Sequence, residues 1–258
     1  MKQPIVALLT DFGLSDHYVG VMKGVLLTHC PEVRLIDITH QIQPQSVLQG
    51  AFCLSQAVPH FPPSTIFLAV VDPGVGTLRK AIAAEAGGYR FVLPDNGLLG
   101  MVSERLGGEL RAVSLAVPES ASGTFHGRDV FAPAAGRLAA GCALEDLGER
   151  VEELIRLERR QPHLNDTRWS VSVLFADHFG NICLDLEKSL GESFFQLDAK
   201  YKVGESVVTF GHTFGQVARG ESLLLWNSSN YLELAVREGS AEKLWGLSSG
   251  SRIVIEKV

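Results

Sequence analysis

The chain has 258 residues, enough for one large domain or two of ordinary size. It carries 23 Lys and Arg against 29 Asp and Glu, a formal net charge of −6, and no segment concentrates the basic residues. This pattern argues against nucleic acid as a partner, because a phosphate backbone requires a basic surface. The first apolar run meets Asp11 after a few residues, so we expect no signal peptide, no membrane partner and a cytoplasmic protein.

The first half of the chain alternates strand-like and helix-like segments. The predicted strands are 5–10, 33–38, 65–71, 81–86 and 90–93, and the predicted helices are 18–30, 47–58, 98–106 and 131–140. We expect Ser15 to cap the first helix and Gly141 to follow the last one, with a turn at 94–97. Such alternation predicts a layered α/β sheet.

Composition changes after residue 150. A densely charged stretch at 152–160 precedes a polar segment, 161–166, that we interpret as a linker. Short strand signals separated by glycines then follow, at 169–175, 182–186, 206–210, 222–226, 231–236 and 252–256. This spacing is typical of a small antiparallel barrel or sandwich. We therefore predict an α/β N-terminal domain, 1–160, and a barrel-like C-terminal domain, 168–258.

Three aspartates come where predicted strands end. Asp11, Asp72 and Asp177 each follow an apolar run. In open α/β sheets, ligands collect beyond the carboxyl ends of strands. An aspartate before Phe-Gly or Pro-Gly also shapes turns, so each one alone has a structural interpretation. Because three aspartates stand in such positions, we weigh ligand binding equally with a structural role in turns.

Two further segments carry charged side chains in short spacing. Segment 70–80 holds Gly74 and Gly76 but no G-K-[ST], so it is not a P-loop, and its structural interpretation is a tight loop with Arg79 on a solvated edge. Segment 124–133 brings His126 close to Arg128 and Asp129, without the spacing of a kinase loop or of a metal site. The four cysteines, far apart, fit no zinc site or disulfide framework, and we expect no metal.

Two polar clusters stand between strands of the second half. They are 177–181 (DHFGN) and 227–231 (NSSNY). Each has the composition of a hairpin loop, which is the structural interpretation. Both carry many hydrogen-bond donors and acceptors, so binding of a polar ligand is the alternative.

Taken in order, these segments resemble one protein family. The segments are LLTDFGLSDHYVGVMKGV, VVDPGVGTLRK, LPDNGLL, TFHGRDVFAP, DHFGN and NSSNYLELAVREGSA, and together they span nearly the whole chain. The sequence resembles the S-adenosyl-L-methionine (SAM) hydroxide adenosyltransferases, relatives of the SAM-dependent chlorinases and fluorinases. The resemblance implies a mixed-sheet α/β domain, a β-barrel-like domain and a homotrimer with three sites between subunits. It also implies hydrolysis of SAM to adenosine and methionine, with SAM as substrate and no cofactor.

The resemblance also implies roles for individual residues. Asp72, Arg79 and His126 form the hydrolytic triad that delivers water as hydroxide to ribose C5′. Asp11 holds the ribose hydroxyls, since a carboxylate accepts two hydrogen bonds from a vicinal diol. The remaining predicted contacts are Asp16, Asp177, Ser228 and Ser229 to the methionine portion, Asn181 and the backbone after Tyr231 to adenine, and Phe179 by packing.

Two alternatives stay open at this point. A SAM-dependent halogenase is the first, although halogenating relatives typically carry an uncharged residue at the position of Asp72 and lack His126. A SAM- or adenosine-binding regulator with little turnover is the second. The sequence departs from the family at Asn230, where glycine is frequent. Asn tolerates left-handed backbone better than most residues, so we expect the turn to survive.

Overall fold

The computed structural model describes residues 3–165 and 167–258. The chain divides into two compact units, Met1–Leu157 and Glu158–Val258. The linker predicted at 161–166 is wrong in part, because His163–Asn165 forms a strand that pairs with the segment after it. These three residues pair in antiparallel register with residues 168–170. Asp166, the last residue of the predicted linker, lies outside the described residues.

The N-terminal unit is built on a seven-stranded mixed sheet in the order β2-β1-β3-β5-β4-β6-β7. Its strands are β1 (Ile5–Thr10), β2 (Arg34–Thr39), β3 (Ile66–Val70), β4 (Ala81–Ala86), β5 (Tyr89–Pro94), β6 (Leu110–Leu115) and β7 (Gly148–Arg150). Strands β2, β1, β3 and β5 are parallel, and the pairs that involve β4, β6 and β7 are antiparallel. The carboxyl ends of β1 and β3 therefore lie side by side.

Helices cover both faces of this sheet. They are α1 (Tyr18–His29), α2 (Val47–Ala57), α3 (Gly100–Leu106) and α4 (Ala132–Ala139). Helices α1 and α4 share one core with alternate residues of β1, such as Val6 and Leu8. The intervening Ala7 and Leu9 are fully buried on the opposite face, where α2 contacts β1. Burial on both faces explains why the parallel strands are continuous apolar runs.

One predicted helix cap and one predicted helix start are wrong, whereas α1 begins at Tyr18 as predicted. Ser15 is not the cap of α1, because the helix begins at Tyr18 after a bent segment and His17 occupies the capping position without a side-chain hydrogen bond. Helix α4 begins later than predicted, since a five-residue π-helix, Gly127–Phe131, leads into it. Gly141 follows α4 with φ +98°, as predicted for a residue past a helix end.

The C-terminal unit is a closed seven-stranded β-barrel. Its elements are β8 (His163–Asn165), β9 (Arg168–Ala176), β10 (Ile182–Glu187), α5 (Lys188–Gly191), β11 (Lys200–Val203), β12 (Ser206–Phe210), β13 (Ser222–Trp226), β14 (Tyr231–Val236), α6 (Ala241–Trp245) and β15 (Arg252–Lys257). The order β10-β14-β13-β12-β11-β15-β9 closes through pairing of β9 with β10, and β8 extends the sheet beyond β9. The predicted barrel is thus confirmed. Within the described ranges, no helix has the length and apolar character needed to cross a membrane.

Candidate active site

The loop that follows β3 brings Asp72 back to face Arg79. Gly76 within this loop has φ +75°, a conformation that L side chains rarely adopt. A Cβ added at Gly76 would also lie 2.3 Å from the carbonyl oxygen of Gly123, so only glycine allows the two loops to approach this closely. The loop therefore packs against the segment that leads to His126.

Asp72 and Arg79 form a buried, multiply bonded ion pair. Arg79 Nε donates to Oδ1 and Oδ2 of Asp72 at 2.9 and 3.0 Å, and Nη2 donates to Oδ2 as well. The side chains are 4% and 7% exposed. The guanidinium carbon lies 5.2 Å from the ring centroid of Phe131, a cation–π contact. The structural interpretation of Arg79 as a solvated edge residue is thus wrong.

His126 completes the cluster from the start of the π-helix. Its Nδ1 lies 2.9 Å from Arg79 Nη2. A guanidinium can only donate, so Nδ1 accepts and the imidazole is neutral with its proton on Nε2. Burial, and then the charge of Arg79, lower the pKa of His126, which favours the same neutral form. Gly127 next to it packs closely, since an added Cβ would lie 3.1 Å from Met22 Sδ.

One hydrogen-bond donor of the cluster is buried and unpaired. Arg79 Nη1 is buried and has no hydrogen-bond partner among the described residues. A buried unpaired donor is costly, so such groups are usually completed by a water or a ligand. The atom lies on the guanidinium that also bonds Asp72 and His126. The cluster is therefore a connected charged network with an unpaired N–H donor group at this corner.

Asp11 directly follows β1, next to the strand that precedes Asp72. Its Oδ2 accepts a hydrogen bond from the N–H of Gln45 at 2.8 Å. Burial raises the pKa of Asp11, and the negative charge of Asp72 adds to the increase. The ends of the two strands thus bring both carboxylates into one electrostatic neighbourhood. Asp16 is exposed in the bent segment before α1.

The C-terminal unit carries a groove of about 940 Å³. Four predicted site residues line it: Asp177, Phe179, Asn181 and Ser228. Ser229 and Tyr231 are not among the described lining residues. The groove is a candidate ligand pocket of suitable volume, because small-molecule pockets typically have several hundred Å³.

Asp177 organises the loop that forms one wall of the groove. Its Oδ1 accepts from the N–H groups of Phe179 and Asn181, both at 2.9 Å, and its Oδ2 accepts from Asn181 Nδ2 at 3.2 Å. These bonds leave Asn181 buried and Phe179 74% exposed, so the aromatic ring faces open space.

The turn between β13 and β14 forms the neighbouring wall. Asn227 Oδ1 accepts from the N–H groups of Ser229 and Tyr231, both at 3.0 Å. The hydroxyl of Tyr231 donates instead to Glu187 Oε1 at 2.8 Å. Asn230 has φ +60°. It thus adopts the left-handed conformation that was expected at this position, where the family frequently has glycine.

Sequence reasoning missed Glu233, which also lines the groove. It is only 7% exposed, and its carboxylate hydrogen-bonds to the side chain of Asn227. Burial, followed by the charge of Asp177, raises the pKa of Glu233 to about 7. A signal did exist, because an acidic residue inside the apolar run 231–236 interrupts a predicted strand. In the part of the chain that the structure describes, no group of three or more His, Cys, Asp and Glu side chains could hold a metal ion.

Comparison with known proteins gives consistent results across the chain. The profile of the SAM hydroxide adenosyltransferase N-terminal domain matches residues 6–148, and that of the C-terminal domain matches residues 171–254. An (R)-S-adenosyl-L-methionine hydrolase of Salinispora tropica is 43% identical, over 97% of each chain. A fluorinase of Nocardia brasiliensis is 29% identical, over 99% of this chain and 97% of its own.

Solved structures support the same relationship. The crystal structure of an uncharacterized conserved protein from Thermotoga maritima superposes with a TM-score of 0.89. It is 36% identical and covers 98% of this chain and 100% of its own. Both domain profiles and the hydrolase relative cover the two units described above. The chain belongs to the SAM hydroxide adenosyltransferase family.

Proposed function

We propose that this protein hydrolyses SAM to adenosine and L-methionine, with SAM as substrate and without a cofactor. The buried cluster of Asp72, Arg79 and His126, with its unpaired Arg79 Nη1, carries the proposal. It offers a hydrogen-bond donor for a water oxygen and a carboxylate that can accept the proton of that water.

The geometry favours Asp72 as the proton acceptor. Nδ1 of His126 already accepts from Arg79, and Nε2 carries the proton in the neutral tautomer. Asp72 Oδ1 accepts from Arg79 Nε and, as a carboxylate oxygen, retains a lone pair. As the water oxygen bonds to ribose C5′, the C5′–sulfur bond breaks and its electrons leave with methionine as a neutral thioether. The water proton passes to Asp72, while Arg79 stabilises the developing hydroxide.

The remaining predicted residues supply substrate contacts in this proposal. Asp11 holds the ribose diol and Asp16 contacts the methionine portion. On the C-terminal unit, Asp177, Ser228 and Ser229 bind methionine, Asn181 and the backbone after Tyr231 meet adenine, and Phe179 packs on the ligand.

We further propose a cytoplasmic homotrimer in which the N-terminal unit of one subunit meets the C-terminal unit of its neighbour. Leu78, beside Arg79, is fully exposed, and Phe179 is largely exposed, as expected for apolar groups that a neighbour covers. Sedimentation velocity tests the trimer. Mixing D72N subunits with N181A subunits tests the shared site: partial recovery of activity supports it, and no recovery in confirmed mixed trimers contradicts it.

Incubation of the pure protein with SAM, with and without chloride, tests the function. The two sulfonium epimers are assayed separately, since the hydrolase of Salinispora tropica is named for the R form. We expect adenosine and methionine as products, lost in D72A and H126A. A 5′-chloro nucleoside would make the protein a halogenase, and binding without product would make it a regulator.

A further inference from the structure

Glu233 occupies the floor of the groove in the C-terminal unit. It lies opposite Cys183 on β10 and opposite Leu225 on β13 in the sheet register. Neighbouring residues Leu232 and Leu234 belong to the barrel core, so the alternation of the strand turns Glu233 outward to the groove. Its buried carboxylate is held there by the side chain of Asn227.

Two acids share this groove without a cationic partner. The carboxylate of Asp177 raises the pKa of Glu233, so the two groups interact. Within the described residues, Asp177 accepts hydrogen bonds from the uncharged N–H groups of its own loop, and no salt bridge joins a Lys or Arg to Asp177 or Glu233. Glu233 is buried, and buried carboxylates are normally paired with a cation, which no described Lys or Arg supplies to it.

The other charged groups of the groove are directed elsewhere. Arg237 donates to the carbonyl oxygen of Val217 at 2.8 Å and lies 3.8 Å from Glu238, which is also paired with Arg219. His212 also lines the groove, and Cys183, opposite Glu233 in the sheet, is contacted by the side-chain amide of Asn227. These groups therefore leave the charge of the two inner acids unbalanced.

We propose that Glu233 is a specificity-determining residue, which selects a positively charged nucleoside over a neutral one by completing, with Asp177, an anionic pocket for the cation. This inference rests on the proposed function, since SAM carries sulfonium and ammonium charges and its product adenosine carries neither. Three aromatic side chains line the same groove, Phe179, Phe214 and Trp226. Their faces also attract cations.

Ligand charge and the proton of Glu233 are coupled in this arrangement. The pKa of about 7 leaves the carboxyl partly protonated near neutral pH in the empty groove. A cation in the groove lowers that pKa, and Glu233 releases a proton on binding. Affinity for the cation therefore rises with pH up to about 8, and adenosine affinity does not.

Calorimetry with two ligands tests the proposal independently of turnover. Sinefungin, a cationic SAM analogue without a sulfonium leaving group, and adenosine are titrated at pH 6 and pH 8, in buffers of different ionisation enthalpy. We expect proton release with sinefungin and not with adenosine. Glu233→Gln keeps the size of the side chain and a hydrogen-bond acceptor for Asn227 but removes the titratable charge. It should therefore abolish this proton release and weaken sinefungin binding at pH 8 by about tenfold or more. Its adenosine affinity should stay within about twofold.

Kinetics give a second readout. In the wild type, kcat/KM for SAM should fall about tenfold from pH 8 to pH 6, and the profile should flatten in Glu233→Gln. Glu205→Gln, at an exposed glutamate, is the matched control that keeps the wild-type profile. If Glu233→Gln binds sinefungin and adenosine more weakly by the same factor, or still releases the proton on binding sinefungin, the proposal is overturned. Absence of adenosine formation by the wild type would instead reject the hydrolase function, and the calorimetry would still decide on Glu233.

Discussion

Replacing Asp72 by Asn removes one charge of the buried ion pair and leaves the other without compensation. The side chains of Asp72 and Arg79 are 4% and 7% exposed, so solvent cannot replace the lost carboxylate. Breaking such a pair costs about 3–5 kcal/mol in free energy of unfolding, a large part of the roughly 5–15 kcal/mol that stabilises an ordinary domain. We expect the melting temperature to fall by roughly 10 °C.

Thermal unfolding followed by calorimetry measures this loss, and adenosine formation is assayed well below the transition. Activity should fall about 10²–10⁴-fold, because the proposed proton acceptor is gone even where the chain stays folded. Glu145→Gln is the control, since Glu145 pairs with Arg111 on the surface and its loss should cost less than about 1 kcal/mol.

The double variant D72L/R79M separates the two effects. Removing both charges of a buried pair is often nearly neutral for stability, so this variant should regain most of the lost free energy and none of the activity. A D72N variant as stable as Glu145→Gln would refute the view that the buried charge of Arg79 requires the carboxylate of Asp72.

Three further changes probe other parts of the structure. Gly76→Ala should lower the free energy of unfolding by more than about 2 kcal/mol, because the new Cβ would clash with Gly123 at a position that also has a positive φ. Gly88→Ala, at φ +82° in open space, should lower it by only about 1 kcal/mol. Urea unfolding measures both changes. Because the pKa of Glu233 is raised, its contribution to stability is present below pH 4.5 and is lost as pH rises through about 7. Between pH 4.5 and pH 8, the free energy of unfolding of Glu233→Gln should therefore rise by up to about 3 kcal/mol relative to that of the wild type. The same pH dependence of stability in both proteins would contradict this. Tyr201→Phe should cost about 1–3 kcal/mol in chemical unfolding, since its hydroxyl accepts from a backbone N–H at 2.7 Å inside the barrel core, and no loss would show that water satisfies that N–H.

The parts of the fold predicted from sequence are those with strong apolar patterns. Strand β1 was predicted at its observed bounds, and the barrel strands 206–210, 222–226 and 231–236 agree as well. Strand β11 (KYKV) was not predicted, because it is four residues long and half charged. Only pairing with β12 and β15 makes it a strand, and a local pattern does not contain that information.

The candidate site divides in the same way. The sequence indicated Asp72, Arg79 and His126 through motifs that occur in a family order, and the structure brings their side chains together. It could not predict which atom of His126 is protonated, since that depends on the 2.9 Å contact with a residue far away in the chain. Glu233 was missed because its importance arises from burial near Asp177, and a single acidic residue within the apolar run 231–236 does not by itself indicate that burial.

Hydrolysis in ¹⁸O-labelled water tests most directly whether the cluster of Asp72, Arg79 and His126 delivers water to ribose C5′. The protein is incubated with SAM in labelled water, and the products are analysed by mass spectrometry. We predict adenosine with one ¹⁸O at the 5′-hydroxyl and unlabelled methionine, and neither product with D72A. Adenosine without label, or cleavage at another bond to sulfur, would contradict the account.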